Sequence, residues 1–267
     1  EKKRMNNFFQ TTIIFLAAAF ISLAPSVTPS FAHFGMVIPS AQVITQQNKT
    51  IQVTLSFAHP FDLVGMDLTT PKQFYTVFNS VKTDLLGCLR ETATMGSKGY
   101  TCQFSPKRPG VYQFVMEPQP YWEELEDLFI IHYTKTIVAA FGGDENWQEL
   151  LGLPVEIRPM LRPFANYKGN TFSGQVIING KPAADKDVEV EYFNDKARYQ
   201  APTSYHTTQV VKTDAQGFFS FTCPLAGWWG FSSLTTADYT LKNQEGTDKE
   251  VELGGVLWIY MDEYQLR

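Results

Sequence analysis

Gly174-Gln175-Val176-Ile177-Ile178-Asn179-Gly180-Lys181-Pro182 is the stretch that decides the fold. Residues 174–178 read as a strand. Asn179-Gly180 is the dipeptide of a tight hairpin, because both central residues of that turn take positive φ. Downstream, residues 187–193 alternate acidic and apolar positions through Val188, Val190 and Tyr192, and Thr213-Asp214-Ala215-Gln216-Gly217 turns into an aromatic strand at 218–221. Upstream the same grammar recurs. In 51–59, Ile51, Val53, Leu55, Phe57 and His59 share one face, with Gln52, Thr54, Ser56 and Ala58 on the other. Residues 74–81 give a further strand, Cys88 and Cys102 flank a hairpin turning at 96–99, residues 110–116 alternate, and 128–140 is long enough for a central strand. Residues 144–151 are expected to form a short helix, with Asp144 as N-cap and Gly152 as its end. Pro154, Pro159 and Pro163 then space out a stiff connector. No internal repeat or low-complexity tract interrupts the pattern.

Composition narrows the function classes. The 267 residues are 44% hydrophobic and 18% charged, enough for one or two cored domains, and 21 Phe and 12 Tyr favour strands over a helical bundle. With 22 Lys and Arg against 27 Asp and Glu, the net charge of −5 argues against an electrostatic nucleic-acid binder with its dense basic face. Three cysteines without C-x-x-C spacing are too few for a disulfide framework and offer no thiolate zinc site. Cys88 and Cys102 are the best disulfide pair, and Cys223 reads as a core residue.

The first thirty residues read as an export signal. Lys2, Lys3 and Arg4 precede an apolar stretch over 8–23, Pro25 and Pro29 break it, and Ser30-Phe31-Ala32 supplies small residues where a signal peptidase reads. The run is short for a bilayer span and interrupted by Gln10, Thr11 and Thr12. Cleavage after Ala32 makes His33 the first residue of the exported chain, in a compartment that permits disulfides.

That terminus gives the histidines their interest, for there are four: His33, His59, His132 and His206. A terminal histidine offers one metal its α-amine and its imidazole Nδ1. His59 ends a strand face before Pro60, and His132 lies within the longest strand. If the three converge they supply four nitrogens, a set suited to Ni(II) or Cu(II) and acceptable to Co(II) or Zn(II). Each alone also has an ordinary explanation as a hydrogen-bonded core or rim histidine. A terminal histidine with one further histidine is the brace of oxidative copper enzymes and copper carriers, which leaves a copper protein as an alternative. No Gly-x-Ser-x-Gly elbow, His-Glu-x-x-His or Gly-rich phosphate loop points to hydrolysis.

Two resemblances extend the reading. Residues 170–267, with their order of strand, Asn-Gly-Lys-Pro, strand, Thr-Asp-x-x-Gly and aromatic strand, resemble the transthyretin-like or carboxypeptidase-regulatory β-sandwich. More specific are His33-Phe34-Gly35-Met36-Val37-Ile38-Pro39-Ser40, Ala58-His59-Pro60-Phe61, Arg108-Pro109-Gly110-Val111-Tyr112 and Met116-Glu117-Pro118-x-Pro120-Tyr121-Trp122. Phe129-Ile130-Ile131-His132-Tyr133-Thr134-Lys135-Thr136, the run from Ala201 to Val211 that contains His206, and Ala226-Gly227-Trp228-Trp229-Gly230-Phe231 belong with them. Together these resemble the periplasmic accessory component of energy-coupling-factor nickel/cobalt uptake transporters, an exported family of formerly unknown function.

The resemblance implies a non-enzymatic periplasmic protein that binds Ni(II) or Co(II) through His33, His59 and His132 beside an inner-membrane permease complex. Glu117, Glu123 and His206 are its weaker candidates, as outer-shell groups or occasional ligands. Trp228 and Trp229 are expected in core packing, with shielding of the site as the alternative. The expected organisation is all-β: a signal peptide over 1–32, a metal-binding β domain over 33–153, a Pro-rich connector over 154–168 and a second β-sandwich over 169–267. A non-catalytic adhesion or carbohydrate-binding sandwich remains the third reading.

Overall fold

The structure is a computed structural model that describes residues 32–266, so the expected leader lies outside the described residues except for Ala32. Asn179 and Gly180 have φ of 48° and 74° and join strand Thr171–Ile178 to Lys181–Pro182. Met95-Gly96 turns the other hairpin, between Arg90–Thr94 and Ser97–Phe104, with φ of 49° and 81°. The fold is all-β. Its helical turns among the described residues are short ones at Leu86–Cys88 and Ser204–Thr207, and none is long and apolar enough to cross a membrane.

Two sandwiches share one long sheet. That sheet runs, in order, Thr208–Lys212, Asp187–Tyr192, Gly227–Thr236, Val251–Asp262, Leu128–Ala140, Gly110–Glu117, Gln73–Phe78 and Val81–Asp84. A sheet of Phe34–Pro39, Ile51–His59, Ser97–Phe104 and Arg90–Thr94 covers its first-half strands. The core between them is built from Leu55, Phe74, Phe114 and Val138. A second sheet of Val155–Pro159, Thr171–Ile178 and Phe218–Thr222 covers the other half, around Phe172, Trp229, Phe231 and Leu257. The halves are joined by parallel pairing of Leu128–Ala140 with Val251–Asp262, from Phe129↔Val251 to Thr136↔Trp258. A third apolar cluster crosses the seam, with Phe34, Met36 and Ala58 packed on Val256 and Trp258.

Two expectations are corrected. Residues 144–151 form an irregular segment with one turn at 147–148 and not a helix. Asn146 sits at φ 65°, which breaks any right-handed turn, and the Asp144 carboxylate pairs with Arg162 at 3.0 Å instead of capping. Nor is 154–168 a connector. Val155–Pro159 is a largely buried strand on Thr171–Ile178, and Asn166–Tyr167 pairs with the long sheet. Pro159 fits because its strand lies at a sheet edge, where a missing N–H costs nothing. Cys88 and Cys102 are disulfide-bonded, with Cα atoms 5.2 Å apart, and Cys223 is a free, buried thiol.

Candidate metal centre

Register assembles the site. Phe34 faces Ala58 and Gly35 faces Phe57 in the antiparallel pair Phe34–Pro39 with Ile51–His59, so one step outward His33 lies opposite His59. Pro60 ends that strand, since it has no N–H for the ladder. The His33 and His59 rings are 4.7 Å apart between centroids. Phe57 stacks on His33 at 5.6 Å and meets the His132 ring edge-on at 5.7 Å. His132 comes from Leu128–Ala140, which faces this end of the sheet.

Hydrogen bonds fix which nitrogens are committed. The His33 Nε2 lies 3.0 Å from the Glu123 carboxylate, so the neutral ring donates there and keeps its Nδ1 lone pair, as metal-ligating histidines do when a carboxylate accepts their other N–H. Glu123 is itself held, 8% exposed, in the short strand Tyr121–Glu123 that pairs with Leu128–Ile130. His59 Nδ1 donates to the Ala32 carbonyl at 2.9 Å. His132 is 2% exposed. Its Nδ1 accepts the Gly35 N–H at 3.4 Å. Its Nε2 makes no hydrogen bond among the described residues and points toward Glu252 Oε1 at 3.7 Å. Gly254 lets the ring lie there, because a Cβ at that position would collide with Nε2 and Cδ2.

Electrostatics keep the His33 ring uncharged. Burial first, then the neighbouring His59 and His132, pull the His33 pKa down to about 4 against the pull of Glu123. Burial likewise raises Glu126, helped by Glu252 and Glu123, and lifts Glu189 to about 7 with Glu252, Glu126 and Asp187 adding. An acidic group thus lies next to the histidines, and no signal in the sequence marked Glu252 or Glu189 as part of it.

The other sequence candidates lie elsewhere. Met116 faces the core, so the adjacent Glu117 points away, where it accepts from Gln73 Nε2 at 3.1 Å. His206 is exposed on Ser204–Thr207 and bonds Thr203 Oγ1 at 2.9 Å. Trp229 is core, donating to the Leu225 carbonyl at 2.9 Å, and Trp228 packs edge-on against Tyr260 at 5.2 Å. Among the described residues no three His, Cys, Asp or Glu side chains converge at metal-ligand spacing. What the geometry does bring together is two imidazoles at the backbone of residues 32 and 33.

Comparison with solved structures returns similarity to the D0-D1 domain of intimin, at 14% identity over 84% of this chain and 99% of that chain, with a TM-score of 0.25. The titin Ig tandem A164-A165 is similar at 10% identity over 87% and 100%, TM-score 0.20. Latent PorU from Porphyromonas gingivalis is similar at 12% identity over 86% and 20%, TM-score 0.23. Likeness at that level carries no argument about function. No curated protein matches the chain. Residues 30–237 match DUF4198, a domain of unknown function, and the chain belongs to that family.

Proposed function

We propose that cleavage after Ala32 frees His33 as an N-terminus, and that this terminus captures a divalent transition metal outside the cytoplasm for delivery to an inner-membrane transporter. One observation carries the reading: the Ala32 carbonyl, bonded to the same carbon as the His33 nitrogen, rests on His59 Nδ1 at 2.9 Å. Cleavage therefore places a new amine beside the His59 ring, while the Glu123 hydrogen bond keeps the Nδ1 of His33 for the same ion. Amine, His33 Nδ1 and His59 then make a three-nitrogen set, with the buried His132 beneath it. Nickel or cobalt is the cargo implied by the sequence resemblance, and the role is a carrier's, with no catalysis assigned. A specific observation favours copper as the second reading. The Gly35 N–H already occupies His132 Nδ1, and an amine with two imidazoles is the copper brace.

The test is native mass spectrometry of the exported chain, offered Ni(II), Co(II), Cu(II) and Zn(II) in turn. One retained Ni(II) or Co(II) ion is expected, and exclusive retention of Cu(II) selects the second reading. An added alanine ahead of His33 should weaken binding at least tenfold, because it separates amine from imidazole. Unchanged affinity refutes the terminal site. Affinity should also fall with pH as the amine, of ordinary pKa about 8, takes up its proton.

A further inference from the structure

Beside the histidines lies a cavity of about 270 Å³, walled by Phe57, Met116, Ile130, Tyr121, Trp122 and His132. Among the described residues its lining includes no Lys or Arg and one carboxylate, Asp67, which is exposed at the rim with Thr69 and Gln119. Phe57 and Tyr121 are also the rings that flank His33, at 5.6 and 6.4 Å. The hollow and the proposed ligand set therefore share their walls.

We propose that this cavity binds the organic part of a small metal chelate, so that the cargo arrives as a complex and not as an aqua ion. The inference rests on the metal reading above and adds the chemical class of its substrate. Two observations combine. The chain brings no three side-chain ligands together among the described residues, and even with the terminal amine the protein leaves positions open on a four- to six-coordinate ion. Donors from outside the protein must fill them. The apolar and aromatic cavity next to those positions accommodates the carbon skeleton that carries such donors, burying surface that water would otherwise cover. Charge narrows the class further. Asp67 at the rim and Glu123 behind His33, with no cationic side chain among the described residues of the lining, favour a neutral or cationic complex over an anionic one. Aromatic faces at Phe57, Tyr121 and Trp122 suit a planar heteroaromatic ligand and a positive charge near it.

The experiment uses the exported chain and two defined probes: the one-to-one nickel(II) complex of 2-(aminomethyl)pyridine, which is cationic and aromatic, and nickel(II) citrate, which is anionic. Native mass spectrometry reads whether protein, metal and chelator travel together, and calorimetry compares each probe with aqua nickel(II). A ternary mass with the pyridine complex, at least tenfold tighter than the aqua ion, is expected, with no ternary mass from citrate. Gln119→Trp, which fills the rim from an exposed position, should abolish that gain and leave aqua-ion affinity unchanged. Trp122→Ala is the second variant, expected to lower the same gain by opening the wall. Aqua nickel bound as tightly as the complex, with no ternary species, overturns the inference and leaves the metal reading standing. Equal ternary binding of citrate, or no effect of either variant, also overturns it. Failure of every nickel form to bind removes the nickel reading and the inference with it.

Discussion

Glu191 makes stability fall as pH rises. Its side chain is 1% exposed and accepts from the Thr208 hydroxyl at 2.5 Å and the Phe61 N–H at 3.4 Å. Burial outweighs those two bonds and raises its pKa to about 8 from 4.5. A carboxyl raised in the folded state keeps its proton there while the unfolded chain loses it. Its contribution is complete below the unfolded pKa and is lost as pH climbs to the folded one. Each pH unit in that window costs about 1.4 kcal/mol, so from pH 6.5 to 8 the metal-free protein should lose about 2 kcal/mol. Glu189, on the same strand and raised to about 7, steepens the first part of the fall. Below pH 6.5 the slope flattens, because His33, lowered to about 4, is neutral when folded and protonated when unfolded. Urea unfolding at pH 6.5, 7.25 and 8, in the presence of a chelator, measures the slope. Glu191→Gln should flatten it and stabilise the protein at pH 8. A wild-type slope that is zero or positive, or a Gln variant with the wild-type slope, refutes the argument.

Other perturbations follow from single contacts. Lys135 and Glu156 form a 2.6 Å ion pair with both side chains 2% exposed, so Lys135→Met alone should cost about 3–5 kcal/mol by stranding the carboxylate. Lys135→Met with Glu156→Leu should recover most of that loss, as a double-mutant cycle in urea will read. Trp258→Phe removes the Nε1 donor to the Gly35 carbonyl at 2.8 Å and should cost about 1–3 kcal/mol by calorimetric melting, with larger shifts of the His132 ring signals than of distant residues. Gly254→Ala drives a methyl into the His132 ring. The variant should lose about 1–3 kcal/mol in urea, and unchanged stability there refutes the packing of Nε2 against that strand.

Local signals carried much of the fold. Asn179-Gly180 announced its turn because few dipeptides tolerate two positive φ values in succession, and alternation in 51–59 revealed the face that Ile51, Val53, Leu55 and Phe57 bury. The site was legible only in part. Residues 40–50 link the two strands that bring His33 and His59 together, and a connection that long leaves register unspecified. Their meeting follows from the Phe34↔Ala58 pairing, which no local pattern encodes. Glu123 drew notice beside Tyr121 and Trp122, but its tie to His33 is tertiary. Glu252 lies in a segment whose Gly254 and Gly255 weaken any strand reading, although Gly254 is the residue that admits His132.

The strand at 155–159 and the burial of His132 have one physical cause. A strand that alternates declares one covered face, whereas 128–140, apolar at both ends with His132, Thr134, Lys135 and Thr136 in its middle, is buried on both faces along most of its length. Its even positions, Ile130, His132 and Val138, turn toward the first sandwich, where Phe57 and Gly35 receive the His132 ring. Its odd positions, Ile131, Lys135, Ile137 and Ala139, need a second cover. Val155, Glu156 and Ile157 supply it, through apolar contact with Ile131, Ile137 and Ala139 and through the buried ion pair with Lys135. The proline-spaced stretch is therefore held as a strand by the central strand's second face. That same two-sided burial seats His132 beneath the N-terminal pair, where an imidazole whose Nε2 has no hydrogen-bond partner among the described residues is retained at a cost that packing alone does not repay.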